Sequence, residues 1–334
     1  MTLVAREVRG PFFDELEVGA EFTEAPAVTL TSGLAATHHA IVGNRLRLAI
    51  DDELCQSVTG QRGYVSPALV WDISIGQSTA VTQQVRANLF YRGLRFQRYP
   101  RIGDTLSTVT TVDALRRNQD RPGRPRTGMA ALHIVTTDQL GRIVLDYWRC
   151  AMLPVSPGCD ADAPRDELDA IGRRESVRPQ TCIADWDLAL FRAGVPGEHF
   201  ADIDVGQRWI VGGADVVSSA PELARLAGNI AAVHHDAASA GGSRLVYGGH
   251  TIGLALHQVS RAMPAVVTVL GWESCDHLAP VHEGDALESV IEVTSAEPVP
   301  TGGGLVSLHV VTSAAPLDEP QRPVLDWRLT VVLA

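Results

Sequence analysis

The feature that most constrains the fold is an internal repeat. Phe13-Asp14-Glu15-Leu16-Glu17-Val18-Gly19 returns as Phe200-Ala201-Asp202-Ile203-Asp204-Val205-Gly206. Ile102-Gly103-Asp104-Thr105-Leu106 returns as Glu283-Gly284-Asp285-Ala286-Leu287, and Val144-Leu145-Asp146-Tyr147-Trp148-Arg149 as Val324-Leu325-Asp326-Trp327-Arg328. The offsets are 187, 181 and 180 residues, in the same order. Matches at a near-constant offset describe two copies of one structural unit. At 334 residues the chain is long enough for each copy to bury a core of its own.

Each copy has the same coarse grammar. A strand-like opening (residues 21–30 and 207–217) leads to a short helix that stops at Gly43 or Gly228, and a longer apolar helix follows, from 66 to about 82 and from 249 to about 262. Segments rich in Val, Thr and Leu come next, at 105–112, 127–137 and 143–153, then 267–275, 286–293, 305–313 and 324–333. Their β-branched content and turn-like gaps predict antiparallel hairpins. One long helix ahead of such strands predicts an α+β unit with the sheet wrapped around the helix. The copies are placed at 1–153 and 182–334. Residues 154–181, rich in Pro, Asp, Glu and Arg, read as a surface linker with a short solvated helix over Asp166–Arg174.

Composition narrows the chemistry. A formal charge of −11 argues against a nucleic-acid or anionic-membrane partner. All 28 Lys+Arg residues are arginine, which excludes Schiff-base chemistry, a pyridoxal site and a phosphate-loop lysine. Five widely spaced cysteines form no C-x-x-C pair, so neither a disulfide framework nor a zinc site is expected. With no leader-like segment and no membrane-length apolar run, a cytoplasmic soluble protein is expected. No metal and no cofactor are called for.

Chemistry concentrates between Ser218 and His257. Ser219 and Glu222 read as a capping box, Pro221 suits a first turn, and Gly228 suits a left-handed helix stop. Asn229 and His234 follow the stop. In continuous helix five residues would turn these side chains apart by roughly 140°, whereas a helix end plus a loop can bring them together. Tyr247-Gly248-Gly249-His250 then begins the apolar helix, where free amides and the positive dipole end suit a developing oxyanion.

These residues resemble the MaoC-like, or (R)-specific, enoyl-CoA hydratase family in its tandem double-hotdog form. The family pattern is a helix end with G-D-x-N-P-x-H, a glycine-containing helix start, and a strand ending in P-V-x-x-G-D. Here stand Gly228-Asn229-Ile230-Ala231-Ala232-Val233-His234, then Val246-Tyr247-Gly248-Gly249, then Leu278-Ala279-Pro280-Val281-His282-Glu283-Gly284-Asp285. The wording of both halves is most similar to the mesaconyl-CoA hydratase branch and to actinobacterial double-hotdog proteins. The resemblance implies a thioester-binding tunnel between helix and sheet, and addition or removal of water across a short or branched 2-enoyl-CoA. Two departures stand out: Asn229 occupies the catalytic aspartate position, and Ala231-Ala232 replaces Asn-Pro. In the first copy the run is Gly43-Asn44-Arg45-Leu46-Arg47-Leu48-Ala49, so Ala49 leaves that copy chemically silent.

The resemblance implies His234 as the acid/base, with Asn229 orienting water, and Gly249 N–H as the oxyanion donor, with Gly248 and Tyr247 against the substrate. His235, Asp236 and His250 are accessory candidates. An acyl-CoA is the only partner expected, with a homodimer open. Two other functions remain: an acyl-CoA-binding protein of little activity, motivated by Asn229, and thioester hydrolysis, for which Asp72 and Asp276 are the only hints, with Glu273 a further acidic residue in an apolar segment. His277 and His282, flanking Pro280, read as solvated. Trp148, Trp272 and Trp327 read as core or dimer-contact residues.

Overall fold

Both short helices stop where the sequence places glycine. In the computed structural model, which describes residues 8–159, 164–172, 180–300, 302–315 and 320–334, α1 (Ser32–Val42) ends at Gly43 with φ 65°, and α6 (Ala220–Leu226) is followed by Gly228 with φ 70°. Between them lie α2 (Arg47–Ile50), α3 (Asp52–Thr59), α4 (Pro67–Gln77) and α5 (Leu188–Gly194), and α7 (Gly248–Ala262) comes last. The start of α6 differs from the sequence reading. Ser219 is itself left-handed at φ 60°, so its hydroxyl accepts nothing from the helix, and Glu283 Oε1 accepts the Ala220 N–H at 3.1 Å instead. Glu222 is drawn to Arg225 at 3.0 Å.

The first copy contributes β1 (Glu21–Phe22), β2 (Val28–Thr29), β3 (Ala87–Phe96), β4 (Thr105–Arg117), β5 (Thr127–Thr137) and β6 (Ile143–Pro154). The second contributes β7 (Arg208–Ile210), β8 (Asp215–Val216), β9 (Val266–His277), β10 (Ala286–Pro298), β11 (Gly304–Ala315) and β12 (Arg322–Leu333). They form one antiparallel sheet of 12 strands in the order β1-β4-β5-β6-β3-β9-β12-β11-β10-β7, with β2 and β8 alongside β4 and β10. The order reads the same from either end, with β3 and β9 joining the copies through pairs such as Tyr91↔Cys275 and Leu94↔Trp272. β3 escapes the sequence reading because arginines and Gly93, at φ 60° in a stretch of shifted register, break its alternation.

Every residue of α4 is buried. Its Gln77 Nε2–H donates to Leu106 C=O at 2.9 Å, and Gln258 of α7, 181 residues later, donates to Leu287 C=O at 2.8 Å. The two units do not keep separate cores: one large apolar cluster draws on both. Trp71 on α4 packs edge-on against Trp272 of β9 and lies 6.2 Å from Trp327 of β12, so the helix of one copy seals the sheet of the other. The pattern predicted only that each helix would be apolar, not which sheet it would cover.

Residues 166–172 form no helix. Asp166 is tied to β4 by backbone and carboxylate bonds to Leu115, which holds the segment extended along the sheet, and residues 173–174 lie outside the described residues. No helix among the described residues is long and apolar enough to cross a membrane.

Candidate active site

The copies meet closely behind the loop that carries Asn229. Gly76 on α4 faces this loop so tightly that a Cβ there would lie 1.7 Å from Ala227 O. Two first-copy acceptors pin the loop down: Thr79 Oγ1 takes the Ile230 N–H at 3.0 Å, and Gln83 C=O takes that of Ala232 at 2.9 Å. Asn229 is 3% exposed, and its Oδ1 accepts the Ala231 N–H at 2.9 Å. Asn44 makes the equivalent turn in the first copy, its Oδ1 accepting the Leu46 N–H at 2.8 Å, and its amide donates to Ser66 Oγ. Tyr247 occupies the position of Ser66 in the repeat, which leaves the Asn229 amide at the wall of a cavity.

One turn later His234 is fixed in a single tautomer. Its Nδ1–H donates to Leu245 C=O at 2.8 Å, so the lone pair resides on Nε2. Burial, opposed by the Leu245 bond and aided by the charges of His235 and Arg149, lowers its pKa to about 4. The ring is neutral at pH 7 and meets Tyr247 edge-on at 5.8 Å.

Asn229, His234, Tyr247 and Gly248 share one cavity of about 610 Å³. Its opposite wall comes from the first copy, including Thr79, Asn88, Tyr91 and Arg149. A Cβ on Gly248 would stand 2.6 Å from His277 Nε2, and one on Gly249 would stand 2.1 Å from Asp72 Oδ1. Gly249 thus backs onto the core, and Gly248 is the glycine in the cavity wall. The N–H groups of both, the first two of α7, have no acceptor among the described residues.

The accessory candidates divide. His235 Nε2–H donates to Asn229 C=O at 2.7 Å and so braces the loop. Asp236 is exposed and caps a surface turn through Ala238 and Ser239, which hold its carboxyl below the usual range. His250 is wholly buried behind the wall with neither ring nitrogen partnered, and burial lowers its pKa to about 4.

Asp72 is fully buried. It pairs with His38 at 2.9 Å and accepts from the Tyr247 hydroxyl at 3.1 Å, so Tyr247 offers the cavity its ring. Burial raises its pKa and His38 opposes the rise. Asp276 pairs with Arg92 at 2.7 Å and Glu273 is exposed, so neither carboxylate stands in the cavity wall. His277 is not solvated as the sequence suggested. It ends β9 inside the cavity wall, its Nε2 buried without a partner and its pKa lowered to about 4 by burial. The turn that follows does leave His282 near solvent, bonded to Arg244 C=O.

Arg149 was missed by the sequence reading. It lies on the inner face of β6 between Tyr147 and Ala151, 4% exposed. Pairing it with Arg328 does not survive the strand registers, where Leu132↔Arg149 matches Leu308↔Leu329. The detectable signal was the alternating row Leu145, Tyr147, Arg149, Ala151, Leu153, with one charge among apolar side chains.

No family model matches the chain. It is 52% identical to a conserved hypothetical protein of Mycobacterium tuberculosis with a double hotdog fold, described as essential for bacterial survival during infection; the match covers 97% of this chain and 99% of that one at a TM-score of 0.91. It is 26% identical to a solved MaoC domain protein dehydratase of Chloroflexus aurantiacus, covering 99% of both chains at a TM-score of 0.84. Beta-methylmalyl-CoA dehydratase of the same organism is 28% identical over 91% of this chain and 88% of that protein. Mesaconyl-CoA hydratase of Cereibacter sphaeroides is 28% identical over 90% and 89%.

Proposed function

Because this chain belongs to the MaoC-like double-hotdog family, we propose that it adds water to, or removes it from, a short or branched 2-enoyl-CoA or 3-hydroxyacyl-CoA thioester. The observation that carries this reading is the tautomer of His234: a neutral imidazole with its Nε2 lone pair free, at the wall of a cavity built from both copies.

In hydration, His234 Nε2 takes a proton from a water oriented by the Asn229 amide, and the water oxygen bonds to the β-carbon. The π electrons move onto the thioester, whose oxygen accepts from the free amides at the start of α7. The imidazolium then returns its proton to the α-carbon. A buried histidine with a pKa near 4 is a weak base and a strong acid once protonated, which suits the second half of the cycle more than the first. Dehydration reverses these steps.

The alternatives give different products. The pure protein is incubated with 2-enoyl- and 3-hydroxyacyl-CoA thioesters and followed by mass. Gain or loss of 18 Da, the mass of one water, is the expected result. Release of free CoA would mean hydrolysis, and binding without turnover would mean an acyl-CoA-binding protein.

A further inference from the structure

Behind the cavity wall the first copy buries two ionisable groups that the hydration steps do not use. His38 Nε2 on α1 and Asp72 Oδ2 on α4 stand 2.9 Å apart, 1% and 0% exposed, and Asp72 Oδ1 accepts from the Tyr247 hydroxyl at 3.1 Å. A Cβ on Gly249 would lie 2.1 Å from that same oxygen, so the carboxyl sits against the first turn of α7. The fold does not require this pair. Five residues before the helix-stop glycine stands His38 in one copy and Leu223 in the other; five before the glutamine of the long helix stand Asp72 and Gly253; and Tyr247 answers to Ser66. Apolar groups in place of a buried ion pair are often as stable or more so, which leaves the pair without a reason in packing alone.

Its place gives it one. An anion beside the first turn of α7 competes for the positive end of the helix dipole and repels an enolate oxygen held by the same amides. With one proton between them, His38 and Asp72 are either an ion pair or two neutral groups, and the net charge is zero in both cases. Burial raises the Asp72 pKa, which favours keeping that proton. The other titratable groups coupled to the pair stay neutral: burial lowers His250 to about 4 and raises the phenols of Tyr91, Tyr147 and Tyr247.

We propose that His38 and Asp72 are positioning residues supplied by the silent copy: Asp72 holds Tyr247 and the start of α7 in place, and His38 keeps Asp72 from standing as a lone anion behind the amides that receive the enolate. This rests on the hydratase reading above. The test compares kcat and KM, near pH 6 and near pH 8.5, on the 2-enoyl-CoA that the wild type hydrates fastest. His234, with its pKa lowered to about 4, is neutral at both. His38→Gln keeps a donor to Asp72 but has no proton to give, so the carboxyl ionises as pH rises. Its kcat should stay within about threefold of wild type near pH 6 and fall at least about tenfold below it near pH 8.5, with KM within about twofold throughout, because the enolate charge exists only in the transition state. His38→Leu gives a second reading of the same dependence should the glutamine variant fail to fold. Asp72→Asn, whose amide accepts from Tyr247 and donates to His38, should keep kcat within about threefold at both pH values, while Asp72→Ala, which releases Tyr247, should lose at least about tenfold at both. A His38→Gln loss equal at the two pH values, a loss confined to KM, or an Asp72→Asn variant as slow as Asp72→Ala would overturn the proposal and leave the pair as packing. A wild type that hydrates no thioester would overturn the hydratase reading, and the proposal would fall with it.

Discussion

Gly76→Ala tests whether the silent copy builds the site. Alanine normally stabilises a helix interior over glycine by about 1 kcal/mol. Here the added methyl would lie 1.7 Å from Ala227 O and 3.2 Å from Asn229 N, both backbone atoms of the other copy. To reach ordinary contact the carbonyl must withdraw by about 1.5 Å or more, carrying the Gly228–Asn229 turn with it. Overpacking of this kind costs about 1–3 kcal/mol, so the net loss is about 2 kcal/mol at most, or ~3 °C in Tm for a chain this long. The larger effect is on chemistry, since a displacement near 1 Å can cost about a hundredfold in rate. Gly33→Ala is the control: its Cβ would meet nothing closer than 3.9 Å on the exposed side of α1, and a gain of up to about 1 kcal/mol is expected. Differential scanning calorimetry and kcat/KM on the same preparations measure both. A Gly76→Ala protein as stable and active as wild type would refute the close coupling of the copies.

Two further outcomes follow from the buried polar groups. His234, His250 and His277 have pKa values lowered to about 4, against about 6.5 unfolded, so the unfolded chain binds their protons first as pH falls. Their contribution is whole above pH 6.5 and is lost towards pH 4, at up to about 2 kcal/mol each by pH 5; urea titrations at pH 7 and 5 should show the drop, and equal stabilities would contradict the burial of neutral rings. Asn229→Asp keeps the Oδ1 acceptor for Ala231 and offers a carboxylate at the cavity, so hydration should speed up at least about tenfold in stopped-flow assays, while a slower variant would make the amide the working group.

The double-hotdog fold was legible because both copies repeat the same punctuation: Gly43 and Gly228 close the short helices, Gly103-Asp104 and Gly284-Asp285 recur, and the β-branched runs fall at matching offsets. The second-copy wall of the cavity was legible because Asn229, His234 and Tyr247 are near neighbours in sequence. The first-copy wall was not, since Thr79, Asn88 and Arg149 come from three separate elements far from Asn229 in sequence, and β3, which carries Asn88, hides behind Gly93. The cap of α6 was misread because Ser219 adopts a left-handed conformation, which handed its role to Glu283, 64 residues beyond it.

His234→Ala carries the most direct test. Its Nε2 is the proposed proton carrier, while its Nδ1–H bond to Leu245 C=O is a single part-buried tether whose loss should cost about 1–3 kcal/mol, which the fold should tolerate. Hydration followed by mass spectrometry, on protein whose Tm is within a few degrees of wild type, should fall by at least about a hundredfold. Turnover within threefold of wild type would contradict the account.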